Sequence, residues 1–221
     1  MPSKAWTAFQ ANTKDIERLL ELHRQEGGEQ PGRRFGLEVL NKSGIVLITA
    51  FWEAYCEDVA EEGLIHLITE APDSKALPME LKKLIAKDLK ADPHDLRVWD
   101  LAGDGWRDIL KKRADELREA RNRKLNTPKT DNIDTLFKTA VGIEEVSKSW
   151  HWPNKMTVAR ARAKLDKFVT LRGAIAHRGA ADVSVTKAQL VDFFEFIRKV
   201  GSRTGGAVNK HVKGITGKPL W

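Results

Sequence analysis

The sequence predicts an all-α protein, a compact helical bundle, on three observations. Apolar residues recur at spacings of three and four along most of the 221 residues. No stretch alternates apolar and polar side chains as a half-buried strand does. Glycine and proline clusters separate the periodic segments. No internal repeat is present. With 41% hydrophobic and 31% charged residues the composition is that of a folded domain rather than a disordered chain, and the length suits one core with appendages.

The elements follow in order. A first helix is expected from Lys14 to Gln25, with Ile16, Leu19, Leu20 and Leu22 apolar, and "EGGEQPGRRFG" breaks it. The longest candidate runs from Leu37 to Thr69. Its apolar residues include Leu40, Ile45, Ile48, Phe51, Trp52, Tyr55, Val59 and Leu64, while Glu57, Asp58, Glu61 and Glu62 mark a solvated side. This is the expected central helix, with Gly44 and Gly63 as points where it bends or ends. Met79 to Lys90 reads as a short amphipathic helix, Asp92 to Gly105 as a loop with at most a turn of helix, and Trp106 to Lys124 as a basic helix. Pro128 in "LNTPKTDN" interrupts the chain, and Asp131 is the expected N-cap of the next helix. "EEVSKSWHWP" is a turn with two tryptophans. A long helix from Thr157 to His177 and a last one from Thr186 to Val200 complete the series.

The expected organisation is therefore an N-terminal helix and linker (1–36), a helical bundle (37–200) and a basic flexible tail (201–221). Between Arg198 and Trp221 there are six Lys or Arg and no acid, so the tail reads as an arm for a phosphate backbone, with Trp221 available to stack or to dock. A disordered end is the competing reading.

Charge is unevenly spread. The net charge is +7, yet Met1 to Trp106 holds 13 Lys and Arg against 19 Asp and Glu, whereas Arg107 to Trp221 holds 25 against 12. The asymmetry points to a surface for a polyanion, most simply RNA or DNA; solvated basic helix faces explain it equally well. The lone Cys56 excludes an intramolecular disulfide and suits a reducing, cytoplasmic compartment. The N-terminal stretch has no apolar segment of the kind a secretory signal needs, and "GIVLITAFW" is too short to span a bilayer.

The chemistry concentrates in "LRGAIAHRG", Leu171 to Gly179. Histidine exchanges protons near neutral pH, so His177 suits general acid–base work. Arginine is permanently charged and forks onto phosphate oxygens, which suits Arg172 to phosphoryl chemistry. With RNA the nucleophile is the substrate's own 2′-hydroxyl, and the pair needs neither a protein nucleophile nor a cofactor. Spacing adds a constraint: five residues at about 100° each separate the two Cβ directions by roughly 140°. Gly173, Ala174 and Ala176 between them are small enough for another helix to approach closely. Two copies of the chain then bring two Arg and His pairs to one cleft; tight packing inside a monomer is the competing reading.

Supporting candidates are Glu53, which can pair with Arg172 or orient His177, together with Tyr55 and Asn126. Arg178, Arg160, Arg162, Lys164, Arg121, Arg123 and Lys124 are the candidate RNA-backbone contacts. No metal site is expected, because no two of the six histidines stand three or four residues apart. No phosphate-binding glycine loop or serine elbow is present.

"LRGAIAHRG" resembles the motif of the HEPN superfamily, in which an arginine is followed after four to six residues by a histidine. "ITAFWEAYCEDV", "LNTPKTDNIDTLFKTAVGIEEVSKSW" and "LDKFVTLRGAIAHRG" resemble, in order and spacing, the prokaryotic branch found beside RNA ligases and phosphoesterases. The resemblance spans about Val39 to Val200. It implies a helical bundle, usually a homodimer, with the motif at the dimer cleft. It also implies metal-independent endoribonuclease activity in toxin–antitoxin, phage-defence or RNA-processing systems, or a non-catalytic module that binds RNA or a partner protein such as an antitoxin. Arg172 and His177 match the two functional positions of that motif. Active members often have a polar residue after the arginine, where this chain has Gly173.

Overall fold

The longest apolar run of the sequence becomes the axis of the molecule. The computed structural model describes residues 3–27, 36–120, 127–153, 156–178 and 184–221, with His177 and Arg178 described as backbone only. Among the described residues the α-helices are α1 (Lys4–Gly27), α2 (Glu38–Glu70), α3 (Met79–Ala91), α4 (Gly105–Ala120), α5 (Thr130–Val141), α6 (Val158–Arg178) and α7 (Lys187–Thr216). 3-10 turns occupy Asp95–Leu101 and Val146–Ser149. The described residues hold no strand, only an isolated bridge between Trp152 and Met156. None of these helices is long and apolar enough to cross a membrane.

Helix α2 touches α1, α4, α5, α6 and α7. A helix with neighbours on so many sides needs apolar residues nearly all round, which is why Ile45, Ile48, Trp52, Tyr55, Cys56, Val59, Leu64 and Leu67 are all buried. The Trp52 indole donates to the Pro128 carbonyl at 3.4 Å and meets Trp150 edge-on, with ring centroids 5.9 Å apart. Trp150 in turn donates to the Thr204 hydroxyl at 2.8 Å.

Helices α2 and α7 run parallel, and small residues set how closely. A Cβ at Gly44 would lie 2.5 Å from Leu190, and one at Gly63 would lie 2.7 Å from Val141 and 3.1 Å from Val208. Those glycines do not end α2; they admit its neighbours. On the other helix a Cβ at Gly205 would lie 2.5 Å from the Tyr55 hydroxyl, and that hydroxyl donates to the Gly201 carbonyl at 2.8 Å.

The expected flexible tail is corrected by the same contacts. Helix α7 continues through Gly201 to Thr216, because "GSRTGGAV" presents Gly201, Thr204, Gly205 and Val208 as its buried face. Beyond the helix, Lys218 pairs with Glu70 at 2.6 Å, the Leu220 amide donates to Asn209 at 2.7 Å, and Trp221 lies against Gly205. Trp221 docks.

Helix α1 begins at Lys4 rather than Lys14. Ser3 accepts from the Trp6 amide at 2.9 Å as an N-terminal cap, Glu62 accepts from the Ala5 amide at 2.8 Å, and Phe9 and Ile16 are buried. The N-terminal helix is part of the bundle core, not an appendage. Helix α5 begins one residue before Asp131, and its cap comes from another helix: Asp166 of α6 accepts from the Thr130 amide at 2.9 Å and its hydroxyl at 3.0 Å.

Basic helix α4 spends much of its charge internally. Arg118 pairs with Glu61 at 2.6 Å and Asp115 at 2.9 Å. Arg107 donates to the Ile68 and Ala71 carbonyls, the latter at 2.7 Å, closing the C-terminal end of α2, and its guanidinium lies over Trp106.

Alanine normally favours a helix over glycine by about 1 kcal/mol. Gly205→Ala is expected to do the reverse and cost about 1–3 kcal/mol through overpacking, read as a lower urea midpoint. Tyr55→Phe removes the crowding hydroxyl, and in that background the cost of Gly205→Ala is expected to shrink. A stabilising Gly205→Ala in the wild-type background would mean that α7 does not seat here.

Candidate active site

The candidate site is built on α6. Thr157 caps the helix by accepting from the Arg160 amide at 3.3 Å. Ala161, Leu165, Phe168 and Val169 then form its buried row, and Phe168 stacks on Phe193 of α7 with centroids 4.1 Å apart. The next position on that row, four residues beyond Phe168, is Arg172. A cation thus occupies a core-facing place, half-buried, with its Nε shielded from solvent.

Across from it stands Glu53 of α2. Burial pushes the Glu53 carboxyl above its ordinary value of 4.5, and the positive charge of Arg172 opposes that rise. Gly173, immediately after the arginine, has no described atom within 4 Å of the position its Cβ would take. The small-residue segment is not packed against another described helix of the same chain at this point. His177 and Arg178 occupy the last residues of α6, with His177 about 140° around the helix from Arg172.

Other candidates separate. Tyr55 is 2% exposed, its hydroxyl is engaged by Gly201, and burial holds its pKa above the ordinary value of 10.0. It is a core residue and not a phosphate contact. Arg162 donates to Ser147 at 2.9 Å and Glu145 at 2.8 Å, while Ser147 is held by Asp134 through its amide and hydroxyl. That guanidinium ties α6 to the loop after α5 rather than facing a ligand. Lys164 pairs with Asp192 at 2.6 Å. Arg160 remains exposed. Asn126, Arg121, Arg123 and Lys124 lie outside the described residues. The "NTP" corner is structural at its proline, whose carbonyl receives the Trp52 indole.

An all-α bundle with an arginine on the buried row of one helix and a histidine five residues later agrees with the HEPN resemblance of the sequence. The RiboL-PSP-HEPN family model matches residues 9–209, and the chain belongs to that family. The match takes in most of α1 and follows α7 past Gly201 as far as Asn209, in keeping with their places in the core. No curated protein and no solved structure matches the chain.

The electrostatics yield a signed expectation. The folded protein holds the Glu53 proton more tightly than the unfolded chain does, so protonation favours folding: the benefit is present below about 4.5 and is lost as pH rises through the raised value. Glu53→Gln is therefore expected to raise the urea midpoint at pH 7 and to leave it nearly unchanged at pH 4. A lower midpoint at pH 7 would mean that the attraction to Arg172 outweighs the cost of burying the carboxylate.

Proposed function

We propose that the chain is a metal-independent endoribonuclease acting through Arg172 and His177. The observation that carries this reading is the position of Arg172: a permanent cation on the core-facing row of a rigid helix, half-buried and opposed by Glu53, where every other described member of the row is apolar. Glu53 supplies the counter-charge that such a half-buried cation requires, which keeps the guanidinium charged on an otherwise apolar row. Family membership supplies the prior that its task concerns RNA.

The chemistry follows from the two side chains. The substrate's 2′-hydroxyl attacks the adjacent phosphorus and the 5′-oxygen departs; His177 takes the hydroxyl proton as base or supplies a proton to the 5′-oxygen as acid, and water or the second copy's histidine serves the other transfer. Arg172 stabilises the extra negative charge on the pentacoordinate phosphorus. The products are a 2′,3′-cyclic phosphate and a 5′-hydroxyl, and DNA is inert. Arg178, Arg160, Arg121, Arg123 and Lys124 are the remaining candidates for backbone contacts. Glu53 tunes the charge around Arg172.

Gly173 supports a homodimer, because a second copy of α6 can approach where no described residue of the chain does. Within this reading the protein works in the cytoplasm in toxin–antitoxin, phage-defence or RNA-processing chemistry, with an antitoxin or regulatory protein as a further partner. A second reading is a non-catalytic HEPN module that binds RNA or a partner protein. It is favoured by the same glycine, which takes the place of the polar residue frequent in active members.

The test is incubation of purified protein with total RNA in EDTA beside His177→Ala, with the fragment ends mapped. Wild type is expected to leave cyclic phosphate ends, and His177→Ala to be slower by roughly 10²- to 10⁴-fold. Arg172→Lys is expected to lose most activity too, since an ammonium does not reproduce the guanidinium fork. Tyr55→Phe is expected to cleave normally while losing about 1 kcal/mol of stability. Salt-sensitive binding without cleavage would select the non-catalytic module. Light scattering is expected to report about twice the 24.9 kDa chain mass; a strict monomer would exclude the shared cleft.

A further inference from the structure

A second surface carries the chemistry that single-stranded nucleic acid requires, away from Arg172. A pocket of about 520 Å³ lies where α1, the Trp152 turn and the middle of α7 meet, and its lining includes Trp6, Trp152, Arg198, Lys199 and Arg203. Arg198, Lys199 and Arg203 are exposed on one side of α7, Lys199 and Arg203 being neighbours at a spacing of four. Glu195 is the acid in the lining, and it approaches Arg198 at 3.9 Å. Among the described residues no carboxylate lies within ion-pair distance of Lys199 or Arg203.

The two indoles are half-buried and held by the core. Trp6 packs against Phe9 and edge-on against Tyr55, and sits over Gly201, where an added Cβ would come within 3.1 Å of it. Trp152 leans on Phe196 with centroids 6.4 Å apart, and the Lys199 ammonium lies 5.8 Å from its ring. Each ring therefore lines the pocket without having to be ordered on binding. Fixed aromatic surfaces beside unpaired-chain phosphate binders form the pattern that holds single strands independently of sequence. A purely acidic protein partner would use the cations but not the indoles.

We propose that this pocket is an accessory binding site for single-stranded RNA, taking backbone phosphates on Arg198, Lys199 and Arg203 and a base against Trp152 or Trp6. Trp152 precedes α6 and Arg172 lies near its far end, so the two sites are separated by roughly 20 Å along that helix at 1.5 Å per residue. The pocket grips the strand several nucleotides from the bond that is cut. This proposal rests on the reading of RNA as substrate, but its test does not depend on cleavage.

The test measures fluorescence anisotropy of a labelled single-stranded RNA oligonucleotide with full-length wild type, the Lys199→Glu/Arg203→Glu double variant, Trp152→Ala and His177→Ala, each checked by circular dichroism and thermal melting. The double variant is expected to bind at least tenfold more weakly and with a shallower salt dependence. Trp152→Ala is expected to bind at least fivefold more weakly, within the range for loss of one stacked base. His177→Ala, which the nuclease reading makes inactive, reads binding of the labelled strand without its cleavage. Unchanged affinity in the double variant, with its native melt retained, overturns the site while leaving the nuclease reading intact. Weakened binding in both groove variants, with no cleavage by wild type, supports the site and removes the nuclease reading. If Trp152→Ala has no effect and inorganic polyphosphate competes as well as RNA does, the surface is a charge patch and the proposal fails. Should Trp152→Ala not fold, Trp152→Leu keeps the packing volume and removes the stacking face.

Discussion

The structure depends on how closely α2 and α7 approach. Glycine on both helices permits it: Gly44 and Gly63 receive side chains from outside α2, while Gly201 and Gly205 let α7 settle over Tyr55. Close approach brings the Tyr55 hydroxyl to a main-chain carbonyl and the Trp150 indole to Thr204. Two amphipathic residues are thereby buried with their polar ends satisfied, which low-dielectric burial requires. Helix α6 then packs on the surface this pair creates, through Phe168 on Phe193. The direction of Arg172 is set by that seating, so the candidate site inherits its geometry from contacts far along the chain.

Much of this was legible in the sequence, and the exceptions share a cause. Periodicity identifies α2 as the central helix and the motif singles out Arg172, but that this arginine stands on the buried row of α6 emerges only from the structure. What periodicity cannot reveal is the partner across space. Asp131 has the right chemistry for a cap, but Asp166 on another helix does the work at Thr130. Arg162 and Lys164 read as free cations because Glu145 and Asp192 become their neighbours only after folding. "GSRTGG" reads as a flexible tail because a glycine used for close packing and a glycine used for freedom look alike in one dimension. Ala5 and Phe9 extend α1 toward its start for a similar reason: their apolar face matters only against α2.

The charge imbalance between the two halves of the chain is also resolved in three dimensions. Acidic α2 and basic α4 are neighbours, so Glu61 and Arg118 cancel locally. The pattern that pointed to a polyanion surface is partly a pattern of internal complementarity. Exposed cations among the described residues include Arg198, Lys199 and Arg203 on one side of α7, and Arg160 on α6.

The parallel pairing of α2 with α7 also determines when the protein can exist as a folded object. The hydrogen bond from Tyr55 to Gly201 joins residues 146 positions apart, and two parallel neighbours cannot be joined by a short turn. Contacts of such separation are slow to form, because loop closure is costly before any of them is made. Until α7 has been synthesised, the side of α2 that it covers stays exposed and Phe168 of α6 lacks Phe193. Folding is therefore late with respect to synthesis, and the helix bearing Arg172 acquires its final orientation only as the glycine-lined part of α7 arrives. A chain interrupted before Gly205 has the motif but not the scaffold that aims it.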